Sequence, residues 1–327
     1  LVPEPHSTIG NPDRQDGVKL ENTELEYYEG LERAMGTVLR LHAFYPPGEK
    51  AWMHALADRV FDSLLADDKR LSIYAADSPI SRINSQAGCE PVALDPDTFE
   101  LLTACAHWWR LTGGLFDITA GALMKKHGFH QGAALPKGDG PLNADSLRAL
   151  IGCDKLELDS ERLTARLARP GMLLDLGGVA KGWSAEALAR MLSEAGLKDF
   201  VISAGTSTVA ARGAPPGEAA WPMELEGLDD RSPTHSLNLT NCAISVSGNF
   251  RNTVSGSGGR VLRHIMNPLS LEPVEEVRQV IVSGPDAAEC EALSTAFLIQ
   301  GAESGVFSLE ARDDIGLSIL RPPERDY

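Results

Sequence analysis

The sequence predicts an α+β fold. Short apolar runs that end at or near a glycine read as strands entering turns: FVISAG (200–205), AISVSGNF (243–250) and RQVIVSG (278–284). Stretches with apolar residues at helical spacing stand around them, without the regular alternation of a doubly wound sheet. The 327 residues, 43% hydrophobic and 23% charged, suit a globular chain of one large or two moderate domains.

In chain order, residues 1–24 are polar and read as an N-terminal arm before a domain over 25–327. MGTVLRLHAFYP (35–46) is strand-like, with Leu39, Leu41 and Ala43 on an apolar face and Val38, Arg40, His42 and Phe44 on a mixed one. Trp52, Leu56, Val60 and Leu64 space a helix over 50–66. Asp95-Pro96 makes an N-cap and first-turn pair for a helix ending at Thr112, before Gly113-Gly114. Residues 130–145 form a Gly/Pro-rich loop, and a last helix covers 286–300.

The net charge of −16 argues against a nucleic-acid partner, and it leaves an anionic ligand in need of a local cation or metal. No apolar run nears the ~18 residues of a membrane span. The five cysteines, Cys89, Cys105, Cys153, Cys242 and Cys290, are scattered and read as buried thiols. The chain begins at Leu1, which suggests a processed or trimmed start and leaves the compartment open.

DLGGVAKGWSAEALARM (175–191) concentrates chemistry. The run Met172-Leu173-Leu174 reads as the end of a buried strand. A helix follows from Trp183, with Ala187, Leu188, Met191 and Leu192 on one face and Gly196 as its C′ residue. Gly177 to Gly182 then form a turn whose free N–H groups, with Lys181, favour an anion, while Asp175 adds a carboxylate. A phosphate-containing ligand and a plain strand–helix turn both fit. The stretch matches neither the P-loop nor the dinucleotide fingerprint.

Other polar clusters sit at element ends: SIYAADSPISRIN (72–84), GGLFDITAGAL (113–123), ISAGTS (202–207), SVSGNFRN (245–252), HIMNP (264–268) and EALSTA (291–296). Their order and spacing over residues 33–305 resemble the ApbE family, the FAD:protein FMN transferases. That family runs M-G-T, S-x-Y-x-x-x-S-x-x-S-x-x-N, F-D-x-T-x-G, D-L-G-G-x-A-K-G, A-G-G-D, S-G-D/N-Y/F, H-I-I-D-P and D-A-L-S-T-A.

The resemblance implies mixed sheets packed with helices, and a cleft between two lobes that takes FAD and Mg²⁺. It implies transfer of FMN to a threonine of a client protein within a motif like D-G-x-S/T-G-A-T, with release of AMP. It places Met35, Tyr74, Leu115, Phe116, Asp117, Asp175, Lys181, His264 and Ile265 at the flavin nucleotide. It places Gly178, Glu291, Ser294 and Thr295 at the metal, the last three sharing one helix face. It suggests the cell envelope for a chain with a removed leader. A FAD pyrophosphatase and a flavin-binding accessory protein are the alternative readings.

Several residues carry a plainer alternative. Tyr74 could be a core aromatic, Asp117 could cap a turn with Thr119, and Ser294 and Thr295 could bond back to the preceding helical turn. His264 fits a general base, a phosphate donor or a structural histidine, with Asp175 the next candidate base. Three positions depart from the family pattern. Thr206-Ser207 replaces a glycine and a carboxylate, Asn267 replaces an aspartate, and Glu291 replaces an aspartate with a side chain longer by about 1.5 Å.

Overall fold

A seven-stranded sheet forms the centre of a computed structural model of the chain. The model describes residues 25–130, 143–225, 235–249, 253–255, 261–301 and 312–321. The expected arm over 1–24, most of the Gly/Pro-rich loop and residues 250–252 lie outside the described residues.

The strand order is Glu26–Ala34, Thr37–Tyr45, Asp199–Ala204, Thr208–Arg212, Cys242–Gly248, Gln279–Gly284 and Gly316–Leu320. Every neighbouring pair is antiparallel. The outer strand Glu26–Ala34 escaped the sequence reading. Its exposed side chains, Tyr27, Glu29, Leu31 and Arg33, alternate with half-buried ones, and the two charges among them stand against further pairing at a sheet edge.

Met35 belongs to a turn rather than to the strand. Met35 and Gly36 take φ of 51° and 70°, the two left-handed residues of a tight hairpin that pairs Ala34 with Thr37.

Both faces of the sheet are covered, which explains the unbroken apolar runs of its inner strands. Leu39, Leu41, Phe200, Ile202 and Val282 meet the helices on one face. Val201, Val209, Ile244 and Ile281 meet the hairpin Trp221–Leu225/His235–Leu239 on the other. The helical layer consists of Lys50–Leu71, Ala180–Glu194 and Ala287–Gln300. The last is apolar nearly all round because it is buried nearly all round, and the Asp286 side chain caps it by accepting from Glu289 N at 2.9 Å.

Helix Lys50–Leu71 runs past the expected end at residue 66. Helix Pro96–Leu111 begins as expected, with Asp95 accepting from Thr98 N. Helix Ala180–Glu194 starts three residues before Trp183, so Lys181 and Gly182 lie in its first turn. Its buried face is centred on Ala185, Leu188, Ala189 and Leu192, while Ala187 and Met191 are only partly covered. Gly196, at φ 92°, closes it, with Leu197 N donating to Leu192 O.

Met172–Leu174 is not a strand. Leu173 makes a single parallel bridge to Ala120, and the Asn84 side-chain amide bonds both Leu174 N and Leu174 O. Among the cysteines, Cys105, Cys153 and Cys290 are buried, but Cys89 is exposed and Cys242 only half-buried. No helix among the described residues is long and apolar enough to cross a membrane.

Candidate active site

The loops at one end of the sheet converge on a cavity of about 830 Å³. That is within the usual range for enclosing a small organic ligand. The hairpin turn at Met35 and the helix end at Leu71–Tyr74 form part of its wall. Segments around Leu115–Asp117, Asp175–Lys181, Gly205–Ser207, Ser245–Gly248, His264–Met266 and Glu291–Ile299 form more of it, with His130. Every site residue expected from the sequence lines this cavity except Ser294.

Met35 N donates to Asp68 Oδ1 at 2.9 Å, which pins the hairpin turn to the end of helix Lys50–Leu71. Tyr74 is 56% exposed and so is not a core aromatic; its ring is available at the cavity wall. Burial raises its phenol above the ordinary value, and the negative charge of Asp175 adds to this. Leu115 and Phe116 are buried, and Trp108 meets the Phe116 ring edge-on at a centroid distance of 6.2 Å.

Asp117 lines the cavity and also makes the turn: its Oδ1 accepts from Thr119 N at 2.8 Å and from Thr119 Oγ1 at 2.6 Å. Burial raises its carboxyl above the usual range, against the Thr119 and Cys153 hydrogen bonds and the charge of Lys155.

The Asp175 turn is held at both ends. Asp175 N donates to Ile118 O at 2.7 Å, and Asp175 Oδ1 accepts from Gly177 N at 2.8 Å. His130 Nε2 lies 3.0 Å from Asp175 Oδ2, close but without the alignment of a hydrogen bond. Burial opposes charge on Asp175. The His130 imidazole, the Gly177 N–H and Lys181 outweigh it and hold the carboxyl below its ordinary range.

Lys181 and Glu291 are ion-paired, Nζ to Oε1 at 2.5 Å. Glu291 Oε2 accepts from Gly182 N at 2.5 Å, so the carboxylate satisfies a backbone N–H in the first turn of helix Ala180–Glu194. Gly182 is required by packing, because a Cβ there would stand 2.4 Å from Ala287 O. At this glycine, then, close approach serves the neighbouring helix rather than a ligand.

Ser294 turns away from the cavity. Its hydroxyl contacts Ser245 Oγ at 3.1 Å and Ser247 Oγ at 2.7 Å and donates back to Glu291 O. Thr295 faces the cavity beside Gly178, where a Cβ would lie 3.8 Å from Thr295 Oγ1. Ser247, 3.4 Å from Thr295 Oγ1, brings a further hydroxyl to this wall.

Glu291, Thr295, Ser247 and the Gly178 backbone offer hard oxygen atoms, the donor type that suits Mg²⁺. Among the described residues no group of three or more His, Cys, Asp or Glu side chains is placed to hold a metal. A cation here would therefore rest on hydroxyl and carbonyl oxygens beside the Glu291 carboxylate.

His264 is half-buried on the cavity wall, next to Ile265. Asn267 does not serve it as a polarising partner in the hydrogen bonds of the loop: its Oδ1 accepts from Leu269 N at 2.9 Å and Ser270 N at 3.2 Å. The sequence reading missed His130, which sits at the edge of a loop with no local periodicity. Asn84, which splints Leu174 from 90 residues away, was legible only as the last residue of the SIYAADSPISRIN cluster. Ser247 was legible only as part of the SVSGNFRN cluster.

The ApbE family model matches residues 35–318. An FAD:protein FMN transferase of Vibrio cholerae is 26% identical over 294 residues, 88% of this chain and 85% of that protein. One of Treponema pallidum is 28% identical over 319 residues, 91% of this chain and 85% of that protein. The apo structure of the Pseudomonas stutzeri flavinyl transferase ApbE superposes with a TM-score of 0.75 at 25% identity, over 92% of each chain.

Proposed function

Since the chain belongs to the ApbE family, we propose that it is an enzyme that transfers the FMN part of FAD to a client protein, releasing AMP. The observation that carries this reading is the gathering of the flavin-site residues and the oxygen donors around one cavity. The client is read as a protein with a threonine in a D-G-x-S/T-G-A-T-like motif.

In this reading Tyr74 stacks on the isoalloxazine, with Met35 and the Leu115–Asp117 segment around it. Lys181 supplies positive charge to the pyrophosphate in an otherwise acidic chain. His264 donates a hydrogen bond to a phosphate oxygen, and Ile265 closes over it. Glu291, Thr295 and Gly178 would hold Mg²⁺. The bound ion would neutralise pyrophosphate charge and stabilise the departing AMP.

A reporter protein carrying the acceptor motif, incubated with FAD and Mg²⁺, tests this. Covalent flavin fluorescence on the reporter with AMP in solution is the expected result. Free FMN and AMP without labelling would make the chain a pyrophosphatase, and bound FAD without products would make it a binding protein. Full turnover in excess EDTA would remove the metal from the reading.

A further inference from the structure

Strand Cys242–Gly248 carries two serines on a face that is otherwise apolar. Ala243, Ser245 and Ser247 alternate toward helix Ala287–Gln300, while Ile244 and Val246 belong to the cluster on the other side of the sheet. The residues opposite the two serines on the next strand are Val282 and Val280, both in the helix-side core. A buried hydroxyl is unfavourable unless it is hydrogen-bonded, and Ser245 and Ser294 are 1% and 0% exposed. Each hydroxyl has one proton to give and two lone pairs. The Ser294 proton goes to Glu291 O, which can only accept, at 3.1 Å. Ser294 Oγ therefore accepts from both serines of the strand, Ser247 Oγ at 2.7 Å and Ser245 Oγ at 3.1 Å. That spends the Ser247 proton and makes Ser247 the acceptor in its 3.4 Å contact with Thr295 Oγ1. Protons thus run from Thr295 through Ser247 and Ser294 to a backbone carbonyl. The two oxygens at the cleft wall are left with lone pairs and no proton to offer.

We propose that Ser247 is a further residue of the cation site, held by Ser294 so that it offers the ion a lone pair and takes up the Thr295 proton. The proposal rests on the metal in the functional reading above. The Ser247 and Thr295 oxygens are 3.4 Å apart, less than two Mg–O bonds of about 2.1 Å each, so one ion can touch both.

A wall of this kind cannot donate to a phosphate oxygen. The Gly182 N–H is already spent on Glu291 Oε2, so it adds no donor. A pyrophosphate therefore approaches this side of the cleft through a cation, and the proton order of the hydroxyls fixes that preference. Ser245 stands off this path: its proton also goes to Ser294, but it has no hydrogen bond to Thr295. The two serines therefore contribute alike to packing and differently to the ion.

The test is calorimetric titration of the metal-free protein with Mn²⁺, an ion suited to the same oxygen donors as Mg²⁺, beside a thermal melt of each variant. Ser247→Ala should weaken Mn²⁺ binding about tenfold or more. Ser245→Ala also removes one bond to Ser294, so its melting temperature should fall to a similar degree, but it should keep the parent's Mn²⁺ affinity. Ser247→Cys should gain affinity for Cd²⁺ and lose it for Mn²⁺, because sulfur is the softer ligand. The gain is read against the parent, which carries the same five native cysteines. Equal Mn²⁺ affinity in Ser247→Ala and the parent, an equal loss in Ser245→Ala, or no gain of Cd²⁺ by Ser247→Cys would overturn the proposal alone. A parent that binds no Mn²⁺, with or without FAD, would overturn it together with the metal in the functional reading. The expected pattern in a parent that does not label the reporter would uphold the cation site and remove only the transfer reaction.

Discussion

Glu291 bridges two helices: its carboxylate takes Lys181 Nζ on one oxygen and Gly182 N on the other, each at 2.5 Å. Glu291 is 4% exposed, so the pair is largely shielded from solvent on the acidic side. An aspartate at this position reaches about 1.5 Å less far and cannot keep both contacts from the same turn of helix. Glu291→Asp is expected to lower the urea midpoint by an amount equivalent to about 1–3 kcal/mol, the cost of leaving a buried donor unmatched. An unchanged midpoint would show that the bridge does not join the helices.

Tyr74→Ala should leave folding almost untouched, because the side chain is 56% exposed. FAD affinity should fall by about 0.5–1.5 kcal/mol beyond the loss of buried area, the usual worth of an aromatic stack. Titration of the variant with FAD, beside a thermal melt, separates the two effects. Equal FAD affinity would remove the ring from the flavin site.

Asp117 predicts a pH-dependent gain. Burial raises its folded-state carboxyl above the ordinary range, although Thr119, Cys153 and Lys155 work the other way. Ionising it therefore costs more in the folded than in the unfolded chain. That penalty grows as pH rises above the unfolded value near 4 and levels off beyond the folded one. An asparagine in its place would keep an oxygen for the Thr119 bonds and carry no such penalty. Asp117→Asn is expected to be more stable than the parent at pH 7 and to lose that advantage toward pH 4. Denaturation at the two pH values checks the slope, and a variant whose advantage grew at low pH would contradict the sign.

Gly182→Ala places a Cβ 2.4 Å from Ala287 O, against the backbone of a buried helix that cannot yield as a flexible side chain would. Overpacking of this kind costs about 1–3 kcal/mol. The variant should melt several degrees lower and should loosen the Glu291 contact to residue 182. Serine at the same position should behave like alanine. An undiminished melting temperature would mean that the two helices separate at no cost.

Asp95 and Gly196 were legible from sequence because caps act within a turn or two of their own helix and need no distant partner. The apolar runs of the inner strands and the order of the polar clusters were legible for the same reason: each is written in neighbouring residues. Three other features were decided only by the tertiary structure. Lys181 meets Glu291 across 110 positions, and His130 meets Asp175 from the far side of a loop. Ser294 and Thr295 are adjacent on one helix, about 100° apart around its axis. The packing of strand Cys242–Gly248 turns the first into a serine cluster and leaves the second facing the cleft. Local spacing determines which side chains share a helix or a strand. Which of them share a site depends on the direction each element faces once its apolar side is buried.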